Sequence, residues 1–161
     1  MPPVTSAGLL LYRSGTDGVE VLLGHMGGPF WARKDAHAWS VPKGEHGPEE
    51  TPLDAARREF TEEIGVPPPD GDPVDLGSVR QSRKVVTAFA LDGSGFTGAE
   101  GVAARTDDGS WVELEWPPRS GRTVRFPEID RAEWFDLATA REKIVKGQLP
   151  LLNRLEALVG G

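Results

Sequence analysis

The sequence predicts an α/β fold in which a mixed β-sheet lies between α-helices. Three observations predict it: strand-like apolar segments open the chain and return from Leu76, a capped amphipathic helix separates them, and two helical segments close the chain. This order is typical of a sheet with helices on both faces. The 161 residues are enough for one proper core, so we expect a single domain over residues 1–161.

The N-terminal region reads as two strands followed by a loop. Residues 4–13 and 19–25 are strand-like, and the Ser-Gly-Thr-Asp-Gly run at 14–18 is typical of a turn between them. Residues 27–39 predict an irregular loop. The Trp-Ser-Val-Pro-Lys-Gly run at 39–44 then leads toward the first helix.

Local signals predict a helix over about residues 52–64. Thr51 can accept hydrogen bonds from the first free N–H groups, and Pro52 suits the first helical position. Gly65 can take a left-handed C-terminal conformation, and the prolines at 67–69 prevent continuation. At about 100° per residue, one stripe of this helix is apolar and another part of its surface carries carboxylates. The apolar stripe consists of Leu53, Ala56, Phe60 and Ile64.

The C-terminal half alternates strand and turn signals before it ends in helices. Residues 76–91 predict a strand pair or one long strand, and residues 92–101 a glycine-rich loop. Further along, we predict a strand at 111–116, a basic turn region at 117–125, an extended segment at 128–135, and helices at about 137–146 and 151–159.

Composition excludes several classes of function. The net charge of −7 and the pI near 5.0 argue against non-specific nucleic-acid binding, which needs a basic face. The chain has no cysteine, which excludes disulfides, thiolate catalysis and cysteine-bound metals. We find no transmembrane segment and no signal-peptide pattern. We therefore expect a cytoplasmic protein with neither a membrane nor a stable nucleic-acid partner.

Three glutamates give the strongest chemical signal in the chain. Glu59, Glu62 and Glu63 follow one another at i, i+3 and i+4 on the predicted helix. Like charges at this spacing destabilise a bare helix, so they need a reason to be there. A solvated acidic face is the simplest alternative, but it does not require the surrounding pattern of Gly44, Glu50, Arg58 and Gly65. We therefore predict that these carboxylates bind a cation and that the cation in turn binds a phosphate.

This pattern resembles the Nudix box, Gly-x5-Glu-x7-Arg-Glu-U-x-Glu-Glu-x-Gly-U, where U is a bulky aliphatic residue. The first U position is Phe60, which is apolar but aromatic. The positions that match are Gly44, Glu50, Arg58, Glu59, Glu62, Glu63, Gly65 and Val66. The resemblance implies the Nudix fold, an α/β/α sandwich, and hydrolysis of a nucleoside diphosphate linked to another group.

The resemblance also implies a cofactor and the residues that hold it. The cofactor is Mg²⁺, for which Mn²⁺ can substitute, bound by Glu59, Glu62 and Glu63 with a backbone carbonyl at Lys43 or Gly44. Mg²⁺ prefers oxygen ligands, and between carboxylates and phosphate it withdraws charge from the reacting groups. Gly65 ends the box helix and supports it.

Roles in catalysis stay open among several residues. Glu50 and Arg58 resemble the pair that orients the loop and the helix, and direct catalysis by Arg58 is the second choice. Glu62 and Glu59 are the candidate general bases within the box. A base on a later loop is the alternative, and its candidates are Glu113, Glu115 and Glu128.

Substrate contacts are predicted on the N-terminal side of the box. Trp31 and Trp39 can stack on a nucleobase, although packing over the core is the alternative for each. Lys43 and Arg33 are placed to neutralise phosphate in an otherwise acidic protein. Many relatives dimerise, so a homodimer is one expectation.

The predicted substrate is a nucleoside or dinucleoside polyphosphate. The run at 39–44 is similar to that of enzymes acting on dinucleoside polyphosphates and diphosphoinositol compounds. The alternatives are hydrolysis of ADP-ribose or of oxidised nucleoside triphosphates, and a catalytically silent domain that senses a nucleotide.

Overall fold

Residues 4–99 and 111–160 are described by the structure, which is a computed structural model. The first half contains β1 (Val4–Gly15), β2 (Gly18–Met26), β3 (Trp39–Ser40), β4 (Lys43–Glu45), α1 (Pro52–Ile64), β5 (Val74–Gln81) and β6 (Lys84–Asp92). The second half contains β7 (Trp111–Glu115), β8 (Thr123–Pro127), β9 (Ile129–Asp136), α2 (Leu137–Lys143), a 3₁₀ turn (Lys146–Gln148) and α3 (Leu149–Val159).

The main sheet is mixed and is built around β1. Strand β1 runs parallel to β6 along one edge, and β6 pairs antiparallel with β5. The other edge of β1 pairs antiparallel with β2 near its C-terminal end and with β4 near its N-terminal end. Strand β2 also pairs with β3 and β9. This arrangement brings β4, which leads into α1, to the centre of the sheet.

Helices cover both faces of this sheet. Buried residues of α1, including Ala55, Ala56, Phe60 and Ile64, form one core with alternate residues of β1. The opposite core contains Ala140 of α2 and Leu151, Leu152 and Leu155 of α3. The predicted mixed sheet between α-helices is therefore confirmed.

A separate antiparallel ribbon is formed by β7 and β8. Its cross-strand pairs include Val112 with Phe126 and Leu114 with Val124. The prediction of a turn over residues 117–125 was wrong at its end, because Thr123–Pro127 is a strand. The apolar residues at 124 and 126 complete an alternating pattern once β7 lies beside them.

Most other predicted elements agree with the structure within a few residues. The segment at 76–91 is a strand pair, with a two-residue turn between Gln81 and Lys84. The predicted helix at 137–146 ends at Lys143, and Lys146–Gln148 is a 3₁₀ turn. Residues 100 and 101 of the predicted loop lie outside the described residues. Among the described helices, none is long and apolar enough to cross a membrane.

Candidate active site

Helix α1 begins and ends where its capping residues dictate. The Thr51 hydroxyl accepts a hydrogen bond from the Asp54 N–H at 3.1 Å, which satisfies one of the free donors of the first turn. Gly65 adopts φ = 95° and its N–H bonds to the Thr61 carbonyl, so the chain leaves the helix in the left-handed conformation that favours glycine. Both ends are as the sequence predicts.

The glutamates of α1 are less exposed than a helical wheel suggests. Glu59 and Glu63 are only 8% and 4% exposed, although both carry a charge. The β4 strand covers them, because β4 packs against α1 while it pairs with β1. Two carboxylates are thus buried between a helix and a strand, whereas the Glu62 side chain is 44% exposed.

Gly44 makes room for one of these carboxylates. A Cβ atom built on Gly44 would overlap the carboxyl group of Glu59. The glycine therefore forms a cradle in which the Glu59 carboxylate lies directly against the β4 backbone. This contact explains in steric terms why the box begins with glycine at this position.

Arg58 joins the carboxylates of the site into one network. Its Nε and Nη2 atoms each donate to the Glu50 carboxylate at 2.8 Å, a bidentate pair. Its Nη1 atom donates to Glu59 at 2.9 Å and lies 3.3 Å from a Glu62 oxygen. The guanidinium also reaches the Glu45 carbonyl at 3.5 Å. Arg58 therefore ties the loop before α1 to two of the candidate metal ligands.

These contacts shift the pKa values of the groups involved. Hydrogen bonding from Arg58 lowers the pKa of the Glu50 carboxyl, and the same contact raises the pKa of the Arg58 guanidinium. Burial raises the pKa of Glu59, helped by the charge of Glu62 and opposed by Arg58. A carboxylate in this setting gains from a nearby cation that offsets its burial.

Lys43 and Glu63 form a second charged pair beside the first. The Lys43 backbone N–H donates to the Glu63 carboxylate at 3.3 Å. Burial raises the pKa of Glu63 well above its usual range, while the positive charge of Lys43 opposes the shift and the charge of Glu128 reinforces it. Burial lowers the pKa of Lys43, and the nearby Lys84 lowers it further. A partly buried lysine ammonium next to an open cavity is suited to an anionic ligand.

A polar cavity opens over this network. Its volume is about 340 Å³. Four glutamates and two lysines line it, so the cavity presents both negative and positive charge. The lining residues are Lys43, Gly44, Glu45, Glu59, Glu62, Lys84 and Glu128.

An apolar cavity of about 210 Å³ adjoins the polar one. Lys43 and Glu128 line both, so the two cavities lie side by side, and together they are called the cleft. Five of its lining side chains are apolar or aromatic: Met26, Trp31, Val112, Phe126 and Ile129. The remaining lining residues are Gly27, Ser40, Lys43, Glu63 and Glu128. The cleft thus offers an apolar end for a ring and a charged end for phosphate.

The structure brings some predicted substrate contacts to this cleft and not others. Trp31 and Lys43 line it. Trp39 does not; its indole is 1% exposed, donates to Asp35 at 2.9 Å and packs edge-on against Phe135. The stacking role predicted for Trp39 needs correction, because this ring belongs to the core. Arg33 is exposed and is not among the lining residues of either cavity.

Sequence reasoning named Glu128 only as an alternative base and did not predict a site role for Lys84 or Phe126, yet all three line the cleft. Of the candidate bases outside the box, Glu128 lines the cleft, whereas the Glu115 carboxylate accepts from the N–H groups of Arg119 and Gly121 in the β7–β8 turn. Lys84 and Phe126 lie far from the box in sequence. The pairing of β6 with β1 brings Lys84 near it, and the packing of Phe126 on Gly28 brings Phe126 there; no local signal shows either contact.

The cleft has the donor set that a hard divalent cation uses. Mg²⁺ prefers oxygen ligands and usually keeps several waters, so a few carboxylates and a carbonyl are enough. Glu59 and Glu62 present carboxylates to the polar cavity, and the Gly44 cradle holds Glu59 in place. Within residues 4–99 and 111–160, no three His, Asp or Glu side chains already meet as a finished metal cage. The arrangement fits an ion that shares its coordination sphere with water and phosphate.

Comparison with solved structures shows the same fold in several organisms. An Ap4A hydrolase from C. elegans, in a binary complex, superposes with a TM-score of 0.60 at 21% identity, covering 98% of both chains. A mutT/nudix family protein from Listeria innocua gives 0.61 at 16% identity over 99% of this chain and 96% of that one. The NUDIX domain of Shewanella oneidensis NrtR, complexed with ADP ribose, gives 0.61 at 14% identity, covering 99% and 90%.

Sequence comparison identifies the family. No curated protein sequence matches the chain. The sequence profile of the NUDIX domain, however, matches residues 2–155, nearly the whole chain. The resemblance of residues 44–66 to the Nudix box is therefore confirmed, and the chain belongs to the Nudix family.

Proposed function

We propose that this protein hydrolyses a pyrophosphate bond in a nucleoside or dinucleoside polyphosphate, with Mg²⁺ as its cofactor. The observation that carries the proposal is that the two cavities lie side by side and share Lys43 and Glu128. The apolar end suits a base, the charged end suits phosphate and metal, and Lys43 lies where they meet. The likeness to an Ap4A hydrolase supports this substrate class, and the likeness to an ADP-ribose complex supports nucleotide binding.

Carboxylates of α1 are the proposed metal ligands. Glu59 and Glu62 would hold the ion from the polar cavity, with Glu63 and the Gly44 carbonyl completing the protein's share. The chemistry that a bound Mg²⁺ supplies is withdrawal of charge from the phosphate oxygens and orientation of the reacting groups. The arrangement needs no cysteine or histidine, which agrees with the oxygen-rich lining.

Lys43 and Arg58 have different proposed roles. Lys43 lines both cavities, so its ammonium can pair with a phosphate between the base and the metal site. The Nε and Nη2 atoms of Arg58 bind Glu50, and its Nη1 atom binds Glu59. Arg58 is therefore proposed as a positioning residue that holds Glu59 and Glu62.

Glu128 is the proposed general base. Hydrolysis requires a group that accepts a proton from the attacking water. Glu59 and Glu62 both lie within hydrogen-bond distance of Arg58, whereas Glu128 lines both cavities and lies outside the box. The box candidates Glu62 and Glu59 remain the alternatives, and mutation separates them from Glu128.

A product-identified hydrolysis screen tests the function. The purified protein is incubated with Mg²⁺ and with nucleoside triphosphates (including oxidised ones), ADP-ribose, dinucleotide cofactors, dinucleoside polyphosphates and diphosphoinositol compounds. We expect Mg²⁺-dependent cleavage of a nucleoside or dinucleoside polyphosphate. Cleavage of another class alone would replace the proposed substrate. Tight binding without any cleavage would instead support a nucleotide-sensing domain.

Variants then test the assigned groups. Glu62→Gln should lower turnover about 100-fold or more, because a bound ion contributes several kcal/mol to transition-state stabilisation. Glu128→Gln should lower it about 10²- to 10⁴-fold through loss of the base. The matched control is Glu156→Gln, which removes a carboxylate that pairs with Arg141 on the far face of the sheet. Wild-type turnover in Glu62→Gln would show that the metal assignment is wrong.

A further inference from the structure

The β7–β8 ribbon has one apolar face and one polar face. Side chains alternate across a strand, and directly paired residues share a face. Val112 therefore shares a face with Phe126, and Leu114 with Val124. The other face carries Glu113, Glu115, Thr123 and Arg125, with Trp111 and Pro127 at one end. Because the ribbon is only two strands wide, its apolar face requires cover from elsewhere.

Half of this apolar face forms the wall of the cleft. Val112 and Phe126 line the apolar cavity, which also contains Trp31. The other half extends past the cavity, where Leu114 is 41% exposed. An exposed apolar surface that continues directly into a cleft marks a place where a ligand completes the burial.

Phe126 and Trp31, the two aromatic residues of the apolar cavity, both contact the backbone of Gly28. A Cβ atom on Gly28 would lie 2.5–2.8 Å from three atoms of the Phe126 ring, so this ring rests on bare backbone. The backbone N–H of Trp31 donates to the Gly28 carbonyl at 3.2 Å. A Cβ atom on Gly27 would overlap the Pro127 carbonyl, and the Gly27 N–H donates to the Glu128 carbonyl at 2.8 Å. The loop that carries Trp31 and the strand that carries Phe126 therefore pack closely against each other.

The size of the apolar cavity limits what it can hold. Small-molecule sites commonly span about 300–1,000 Å³, and this cavity has about 210 Å³. It therefore suits a single ring system rather than a whole nucleotide. A ligand that also carries phosphates must place them beyond Lys43 in the polar cavity of about 340 Å³.

We propose that the β7–β8 ribbon is the base-recognition element of the site, with Phe126 and Trp31 as the residues that stack on the nucleobase of the substrate. This inference rests on the proposed function and names the part of the protein that selects its substrates. Aromatic stacking uses the π-face that every base has, so it favours a flat ring over any particular edge pattern. The element separates nucleotides from ring-free phosphate compounds.

A binding experiment with two non-hydrolysable probes tests the proposal without depending on turnover. The probes are α,β-methylene-ADP, which carries a base, and methylenediphosphonate, which carries only the two phosphonates. Calorimetric titration in Mg²⁺ gives the affinity of the intact protein for each. We expect the nucleotide analogue to bind more tightly, and we expect Phe126→Ala to weaken its binding about 5- to 100-fold while methylenediphosphonate binding is unchanged.

Three further variants make the result decisive. Phe126→Leu keeps an apolar side chain but no ring face, so it should lose most of the preference, and Phe126→Tyr should restore it. Thr123→Ala, on the polar face of the same strand, is the matched control and should bind both probes as the original protein does. Thermal unfolding of each variant shows whether it is folded, and the Leu and Tyr variants carry the test if Phe126→Ala is not.

The outcomes separate this proposal from the proposed function. Equal affinity of the original protein for both probes, or an equal loss for both in Phe126→Leu, would overturn the base-recognition role even if the protein hydrolyses nucleotides. A selective loss for the nucleotide analogue would support the role even if no compound in the hydrolysis screen is cleaved.

Discussion

The carboxylate of Glu59 lies against the backbone of Gly44 so closely that a Cβ atom there would overlap it. This contact joins the strand β4 to the carboxylate face of α1. Since Glu59 also accepts from Arg58 at 2.9 Å, its carboxylate is fixed from two sides. Its orientation toward the polar cavity is set before any ligand arrives.

Substituting alanine for Gly44 should therefore displace the Glu59 carboxylate. We expect Gly44→Ala to lower Mg²⁺ affinity or turnover about 10- to 100-fold, the usual cost of disturbing a group that orients a metal ligand. Turnover as a function of Mg²⁺ concentration measures this effect. The control is a double-mutant cycle with Glu59→Ala, in which the Gly44→Ala penalty should largely disappear. An unchanged penalty in that background would show that Gly44 acts by some other route.

Arg58 holds Glu50 with two parallel hydrogen bonds, which only a guanidinium can supply. We expect Arg58→Lys to lower turnover because Glu59 and Glu62 lose their common donor. The free energy of unfolding should change by no more than about 1 kcal/mol, because the Arg58 side chain is 40% exposed and such pairs are screened by water.

Arg57 provides the matched control for this substitution, since it is the neighbouring arginine on the same helix. Arg57→Lys should leave both turnover and stability close to those of the original protein. Steady-state kinetics and urea unfolding separate the two effects. Equal losses in both variants would mean that the guanidinium of Arg58 has no special role.

Helix α1 shows how much local sequence can predict. Its bounds, Pro52–Ile64, are those predicted, because Thr51 and Gly65 act on the adjacent backbone and need no distant partner. The burial of Glu59 and Glu63 was not predictable in this way. A helical wheel gives the direction of a side chain but not what covers it, and here the cover is a strand that pairs with β1.

The cleft shows the same division between local and distant information. The box carboxylates and Lys43 are adjacent in sequence and were predicted together. Phe126 lies in the site because its ring packs on Gly28, a contact between distant parts of the chain. Trp39 was assigned to substrate because it is aromatic and near the box, yet its packing against Phe135 in the core buries it. Proximity in sequence therefore predicted which charged residues meet in the site, but not which side chains are exposed there.

Asp35 should contribute to stability in a pH-dependent way. Hydrogen bonds from Lys143 and Trp39 lower the pKa of its carboxyl below its usual value near 3.8. A carboxyl whose pKa is lower in the folded state stabilises the protein above the unfolded-state value, and this contribution is lost as the pH falls through the folded-state value. We therefore expect Asp35→Asn to destabilise the protein at neutral pH and to have a progressively smaller effect as the pH falls through the lowered folded-state pKa of Asp35.

Unfolding free energies of both proteins between pH 2.5 and 7 would measure the effect of Asp35→Asn; these pH limits are roughly those that bracket an ordinary aspartate pKa. The difference between the two curves should shrink as the solution becomes more acidic. The control is Asp17→Asn, in the turn after β1, which should give a smaller difference over the same range. A difference for Asp35→Asn that is independent of pH would contradict the assigned cause.

Gln148 joins the 3₁₀ turn to the segment that precedes Lys43. Its side chain is fully buried; Oε1 accepts from the Val41 N–H at 3.0 Å, and Nε2 donates to Ser40 at 3.0 Å and to Gln81 at 2.8 Å. The 3₁₀ turn thereby fixes the segment that leads from the core into Lys43. Gln148→Leu would leave the buried Val41 N–H without its acceptor, at a cost of about 1–3 kcal/mol.

Urea unfolding tests this prediction, with Gln81→Leu as the control. Gln81 is half-buried and contributes one of the three hydrogen bonds, so its loss should cost less than that of Gln148. The Gln148→Leu variant should also turn over substrate more slowly under conditions in which it is fully folded, because Ser40 lines the apolar cavity and Lys43 follows three residues later. Wild-type stability in Gln148→Leu would show that Val41 finds another acceptor and that the 3₁₀ turn does not hold the cleft in place.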